Sequence, residues 1–368
     1  MRVLHVYAGA RYGGAETFAT DLITALAAAG VDQAVVTRPF PERRARLAAA
    51  NVEVHSEQFR PFAAFATRRR IGRIAREFAP AVVQAWMGRA AAAVPKDMPV
   101  PVVGWLGGYY DLKRYRTCDY YVGVTKDIVR HIVAAGAPAD RAQEINTFAA
   151  LADEPAAARA DHDTPDAAPL LLCLARLHRA KGVDTLLRAL VGVPEAYLWI
   201  AGEGALKGEL KRQAGALGVS ARVRFLGWRA DRSALLRAAD ICVLPSRHEP
   251  FGTVMVEAWA AGIPLIAAAA AGPKAYVSDC EDGLLFPIDD ARALAERIRT
   301  CLAQPALARA LSDAGRRRYQ SEFTREKIVA DYIALYRGLA QRGKELNPPA
   351  QVRQFEARRA RKTAPCSG

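Results

Sequence analysis

Two glutamates, Glu249 and Glu257, stand eight positions apart with Pro250, Phe251, Gly252, Thr253 and Val254 between them. The segment follows an apolar run that ends near Pro245 and passes into a helical pattern from Gly252 or Thr253. A strand that turns through glycine into a helix leaves free backbone N–H groups, with the positive end of the helix dipole behind them. That arrangement suits an anion. A carboxylate beside a phosphate is electrostatically awkward unless it accepts from sugar hydroxyls, so this setting points to a ligand that carries both. The plainer alternative is that Glu249 and Glu257 cap and decorate a surface helix.

A second group is Arg176-Leu177-His178-Arg179-Ala180-Lys181-Gly182, directly after the apolar run Leu170–Ala175. Basic residues at the carboxyl end of a strand can neutralise a diphosphate, Arg by a bidentate grip and Lys as a point charge. They can equally be a solvated loop. Gly202-Glu203-Gly204 follows the run Tyr197–Ala201, where missing side chains allow close backbone approach to a base or ribose.

Positioning these residues requires a regular alternation, and the chain has one. Short apolar runs at Val3–Tyr7, Gln33–Thr37, Val82–Trp86, Val102–Leu106 and Tyr120–Val124 alternate with helical patterns, among them Glu16–Ala29 ending at Gly30 and a segment from Thr125 to Gly136. A second series has strands at Leu170–Ala175, Tyr197–Ala201, Val223–Leu226, Ile241–Leu244 and Leu265–Ala268. Repeated strand–helix alternation predicts parallel βαβ architecture, with ligands in the crevice at the carboxyl ends of the strands. The Ala-, Asp- and Pro-rich stretch from Ala149 to Ala168 reads as a linker, and Thr324–Ala340 as a closing amphipathic helix. Expected domains are 1–155 together with a closing helix about 324–340, then 165–323, and a basic tail over 345–368.

Composition narrows the partners. The 368 residues are 51% hydrophobic and 24% charged, which excludes a disordered or fibrous chain, and the net charge of +14 asks for an anionic partner or surface. Much of the excess lies in two stretches: nine Arg against four Glu from Glu42 to Glu77, and seven basic against two acidic residues from Arg342 to Gly368. The six cysteines have no paired spacing for zinc, iron–sulfur or dithiol chemistry and suit a reducing compartment. The N-terminus turns polar too soon for a signal peptide, and the bland run Ala258–Gly272 is broken by Gly262 and Pro264. A cytoplasmic chain is the expectation. Asp161-His162-Asp163 has the form of a metal-holding triplet, but it lies in the linker and reads as solvated charge.

In order along the chain come Gly13-Gly14-Ala15-Glu16, Arg176 with Lys181-Gly182, Gly202-Glu203-Gly204, Phe225-Leu226-Gly227-Trp228, the Glu249/Glu257 pair, and Gly262-Ile263-Pro264. This series resembles the retaining nucleotide-sugar glycosyltransferases of family 4, over residues 1 to about 340. The resemblance implies an α/β fold of the GT-B class: two Rossmann-like doubly wound domains, an interdomain cleft, and a C-terminal helix crossing back to the first domain. It implies an acceptor-binding first domain, a donor-binding second domain, and transfer of a hexose or related sugar from a UDP- or GDP-sugar to a cell-envelope acceptor such as lipopolysaccharide core. By that resemblance Arg176 and Lys181 hold the donor diphosphate, and the backbone around Phe251, Gly252, Thr253 and Val254 cradles it. Glu257 accepts from the ribose hydroxyls, Glu249 contacts the transferred sugar, Gly13 and Gly14 let the first domain close on the donor, and Gly204 and Gly227 bracket the base.

The resemblance further implies front-face transfer with retention, in which the leaving phosphate helps to deprotonate the acceptor, so neither metal nor cofactor is expected. Where many members carry a histidine on the acceptor side, this chain has Trp105-Leu106-Gly107-Gly108-Tyr109-Tyr110-Asp111, leaving Tyr109, Asp111 or backbone N–H groups as substitutes. Arg89, after the run ending at Trp86, is placed to meet an anionic acceptor. The Arg-rich segment 43–76 suits an anionic membrane surface, with no aromatic ladder or module for nucleic acid. Two other readings stand beside this one: a GT-B nucleotide-sugar epimerase, and a non-catalytic basic scaffold at a membrane.

Overall fold

A strand covered on both faces by helices must be apolar along its whole length. Val82–Trp86 and Leu170–Leu174 are buried at every position in the computed structural model, which describes residues 1–343. Each is the hub of one sheet. The chain divides into two units, Met1–Asn146 with the chain from Glu326, and Thr147–Arg325.

In the first unit the strands are β1 (Arg2–Tyr7), β2 (Asp32–Thr37), β3 (Glu53–Ser56), β4 (Val82–Trp86), β5 (Val102–Leu106), β6 (Tyr120–Gly123) and β7 (Ala142–Glu144), in the order β3-β2-β1-β4-β5-β6-β7. In the second they are β8 (Leu170–Leu174), β9 (Tyr197–Ala201), β10 (Val223–Gly227), β11 (Ile241–Leu244), β12 (Leu265–Ala268) and β13 (Leu284–Phe286), in the order β10-β9-β8-β11-β12-β13. All pairings within these sheets are parallel. Both units are therefore doubly wound. The winding reverses between β1 and β4 and again between β8 and β11, where the loops leaving the carboxyl ends diverge and open a crevice.

Three strands, β3, β7 and β13, are absent from the sequence reading. All have only three or four residues and lie at a sheet edge, too short to show a pattern. The stretch expected as a linker is instead folded onto the second unit from Thr147. Arg159 donates to Ala238 O at 2.7 Å and to Ala168 O at 2.8 Å, and Ala157 N donates to Ala234 O at 3.0 Å. Asp161 and Asp163 are exposed, on a 3-10 turn whose His162 meets the Trp199 ring edge-on.

The closing helix runs from Arg325 to Arg342 and belongs to the first unit. It buries Tyr332 and Tyr336 completely, and Tyr336 Oη donates to Oε1 of buried Gln84 at 3.0 Å. The core of that unit holds His5, whose Nε2 lies 2.8 Å from Gln33 Oε1 while Trp86 Nε1 donates to its Nδ1 at 3.2 Å. Burial pushes this imidazole down to about 4, so it sits neutral inside the sheet. The basic tail over 345–368 lies outside the described residues.

Candidate functional site

The switch point between β8 and β11 brings together the residues singled out in the second unit. Arg176 to Gly182 leave the end of β8, and Pro245 to Gly252 leave the end of β11. Lys181 Nζ lies 2.5 Å from Glu249 Oε2, which also accepts from Ser246 Oγ at 3.0 Å. Arg176, at the start of the same loop, is exposed and makes no ion pair among the described residues. The helix Thr253–Ala261 begins at Gly252, whose φ of 101° is left-handed, and no side chain caps it. The N–H groups of Thr253 and Val254 in its first turn are thus open to an outside acceptor. Phe251 contributes backbone only, because its ring is buried edge-on against Tyr276.

Backbone contacts join the loops at this end of the sheet. Arg247 N and His248 N both donate to Ala180 O, Leu177 N to Glu203 O, and Gly272 N to Glu249 O. Glycine makes the approach possible: a Cβ on Gly182 would stand 2.0 Å from Pro245 O, and one on Gly204 2.3 Å from Leu177 O. The close approach expected at Gly202 and Gly204 is therefore made to the Ala175 and Leu177 backbone. Gly227 ends β10 at a register shift, followed by half-exposed Trp228.

Glu257 does not decorate a surface helix, the plainer alternative of the sequence, because it is buried. Its side chain is only 3% exposed and is paired with Arg232 at the start of the helix Arg232–Ala238. Arg247 is a further residue that sequence reasoning passed over. Its guanidinium grips both oxygens of Asp184, at 2.7 and 2.6 Å, reaches Asp289 at 2.6 Å and donates to Arg179 O at 2.7 Å. Burial alone would raise Asp184, but the bonds and charge of Arg247, then of Arg188, hold it below the usual carboxylate range. The Arg176–Gly182 loop is thereby riveted to the loop that carries Glu249.

The first-unit residues lie on the carboxyl side of their own sheet. A Cβ on Gly13 would strike the Glu16 carboxylate at 2.2 Å, and that carboxylate accepts from Ala10 N; at Gly14 there is open space. Arg89 is exposed on the helix Met87–Ala93, whereas Trp86 is fully buried. Asp111 accepts from Lys113 N at 2.9 Å and caps the turn Leu112–Tyr115. Tyr109 donates to Asp127, and burial followed by that bond pushes its phenol up to about 12, so it serves as a donor and not a base near neutrality. An imidazole is nevertheless present: His131 reaches the Tyr110 carbonyl at 3.0 Å and meets the Tyr109 ring edge-on. Arg43, counted in the basic segment, is buried over the Tyr7 ring at 4.1 Å and bonded to Ala10 O, so it cannot face a membrane.

Both halves of this arrangement match known families. Residues 12–149 fit the model for Glycosyltransferase Family 4, and residues 156–318 that for Glycosyl transferases group 1. Over 338 residues the chain is 33% identical to the lipopolysaccharide core biosynthesis glycosyltransferase LpsE of Rhizobium meliloti (strain 1021), covering 91% of this chain and 98% of LpsE. The chain belongs to the family 4 glycosyltransferases. LpsD of the same organism, described in the same words, is 34% identical over 93% of this glycosyltransferase and 100% of LpsD. Among solved structures, Anabaena HepE in complex with UDP aligns at a TM-score of 0.79 and 20% identity, covering 92% of this chain and 100% of HepE. WaaG, a glycosyltransferase involved in lipopolysaccharide biosynthesis, aligns at 0.67 and 18%, covering 90% and 99%. These likenesses establish the GT-B fold for the glycosyltransferase. Among its described residues no helix is long and apolar enough to cross a membrane.

Proposed function

We propose that this glycosyltransferase moves a hexose from a UDP- or GDP-sugar to a saccharide of the cell envelope such as lipopolysaccharide core, its relatives LpsE and LpsD being named for lipopolysaccharide core biosynthesis. The observation that carries the reading is that the loop holding Arg176 and Lys181 and the uncapped helix start at Gly252 follow the adjacent strands β8 and β11 at one switch point, where Lys181 reaches Glu249. In this reading Arg176 and Lys181 supply the positive charge at the diphosphate, with no metal ion required. Glu257, oriented by Arg232, accepts from the ribose, and Glu249 lies beside the sugar.

The transfer proceeds with retention. The bond from the anomeric carbon to the β-phosphate oxygen breaks with its electron pair going to the phosphate. The acceptor hydroxyl oxygen bonds to that carbon on the same face, and its proton passes to the leaving phosphate oxygen. Cationic groups already placed where charge develops lower the barrier without reorganisation. Thermal unfolding with UDP, GDP, ADP and their sugars tests the donor site: one nucleotide family should raise Tm by mass action. UDP heads the panel because HepE crystallises with UDP and with UDP-glucose. No rise with any of them would overturn the donor reading.

A further inference from the structure

The chain leaving β2 turns tightly. Phe40 N donates to Arg38 O at 2.8 Å across Pro39, whose ring fixes its own φ and favours an extended Arg38. The turn sets the Phe40 ring 5.1 Å from the Arg38 guanidinium. Arg43, on the helix Pro41–Ala49, lies 5.1 Å from the same ring and 4.1 Å from the Tyr7 ring. Two guanidinium groups thus share one aromatic ring at the carboxyl ends of β1 and β2. They are satisfied unequally. Arg43 donates to Ala10 O and to Thr37 Oγ1, the latter at 3.4 Å, and both acceptors are neutral. Arg38 has neither a hydrogen bond nor an ion pair from its side chain among the described residues, although its Nε is buried. Glu42, the acidic residue in the first turn of that helix, is engaged by Arg11.

We propose that Arg38 holds an acidic substituent of the saccharide acceptor, a phosphate or a carboxylate, with Arg43 and Arg11 adding to the positive field around it. A guanidinium presents parallel N–H donors that match the two oxygens of either group. A buried N–H with no acceptor is rare in a fold, and a bound oxyanion gives this one its counter-charge. Arg38 is half-buried, so the attraction is screened less than at a solvated arginine. Stacking on Phe40 already fixes its plane, and little side-chain freedom is lost on binding. The position suits an acceptor. The loop after β1 touches this cluster through Ala10 and Arg11 and continues to Gly13 and Gly14, beside the switch between β1 and β4. β2 lies one strand further out, about 5 Å across the sheet, a distance that a substituent on one sugar ring or its neighbour spans. The proposal rests on the reading of a saccharide acceptor and narrows it to acidic saccharides.

Glucose, glucose 6-phosphate and glucuronate are titrated into the full chain by calorimetry at one ionic strength. At least one acidic sugar should bind more tightly than glucose, and the tighter of the two identifies the group as phosphate or carboxylate. Arg38→Gln should raise its Kd at least about tenfold, and Arg38→Lys, which keeps the charge without the fork, should fall between. The Arg176→Ala, Lys181→Ala variant should bind it as the wild type does. In chain labelled with 15N-arginine, the Nε–H resonance that Arg38→Lys removes should move during the titration. Binding of glucose as tight as that of both acidic sugars, an unchanged Kd in an Arg38→Gln variant that unfolds cooperatively, or a stationary Arg38 resonance overturns the proposal. So does loss of binding in the Arg176→Ala, Lys181→Ala variant, which would put the acidic sugar in the second unit. No nucleotide enters these titrations, so Arg38-dependent binding without any melting response to nucleotide would count against the donor reading alone.

Discussion

Lys181 and Glu249 form an ion pair of 2.5 Å at the switch point of the second sheet, with side chains 23% and 12% exposed. The cation assigned to the diphosphate is thus already engaged in the free protein, and a bound donor must share it with or take it from Glu249. Glu249→Gln removes that competition. If Glu249 stands beside the transferred sugar, as proposed above, nucleoside diphosphate affinity should hold or rise in this variant while kcat falls about a hundredfold. Calorimetric titration and nucleotide release measure the two halves. Weaker nucleotide binding with unchanged kcat would assign Glu249 to the diphosphate instead.

Arg247 ties Asp184 and Asp289 to the loops that carry Lys181 and Glu249. Arg247→Ala should cut kcat/KM at least about tenfold by loosening the loop geometry. Arg247→Lys, lacking the bidentate grip, should recover only part. Because Asp184 is held below its usual range, this clamp contributes stability that is complete above the ordinary carboxylate value near 4 and is lost as pH falls from there through the lower value in the fold. Acid unfolding of wild type and Arg247→Ala should converge at low pH, and a constant gap would remove the clamp from the account.

Arg232 faces a glutamate that is nearly fully buried. Arg232→Ala should cost about 2 kcal/mol, less than a wholly buried pair because the arginine side chain is 30% exposed. It should also weaken UDP more than it weakens inorganic diphosphate, since Glu257 is assigned to the ribose. Denaturant unfolding and competitive binding check both parts.

His5 provides a pH signature for the first unit. Its imidazole titrates near 4 in the fold, against 6.5 when exposed. The neutral form is what the fold keeps, so this contribution is complete above about pH 6.5 and is lost as pH falls toward 4. The gap corresponds to about 3 kcal/mol. His5→Gln should flatten the decline in stability across that interval, as followed by urea unfolding at a series of pH values.

The doubly wound plan was legible because its central strands, such as Val82–Trp86 and Leu170–Leu174, are unbroken apolar runs between helical patterns. The nearness of the basic loop after β8 to the glutamate loop after β11 was legible because both loops are short and leave central strands of one sheet. What escaped was set by distance along the chain. Arg232 finds Glu257, and Arg247 finds Asp184, only once parallel crossovers have brought separate helices and loops together. His131 sits in the last turn of the helix Lys126–Ala134 with no motif around it, and only the fold sets it against Tyr109 and Tyr110. Arg43 was misplaced because a run of arginines looks solvated, whereas one of them turns inward over an aromatic ring.

The central claim is that the switch point of the second unit holds a nucleoside diphosphate through Arg176 and Lys181. Isothermal titration of UDP into the wild type and into an Arg176→Ala, Lys181→Ala variant tests it most directly, with GDP as the second ligand. For the nucleotide that the wild type binds, Kd in the variant should rise at least about a hundredfold, as expected when two charge-assisted contacts are lost. Equal Kd values in a variant that still unfolds cooperatively would contradict the account.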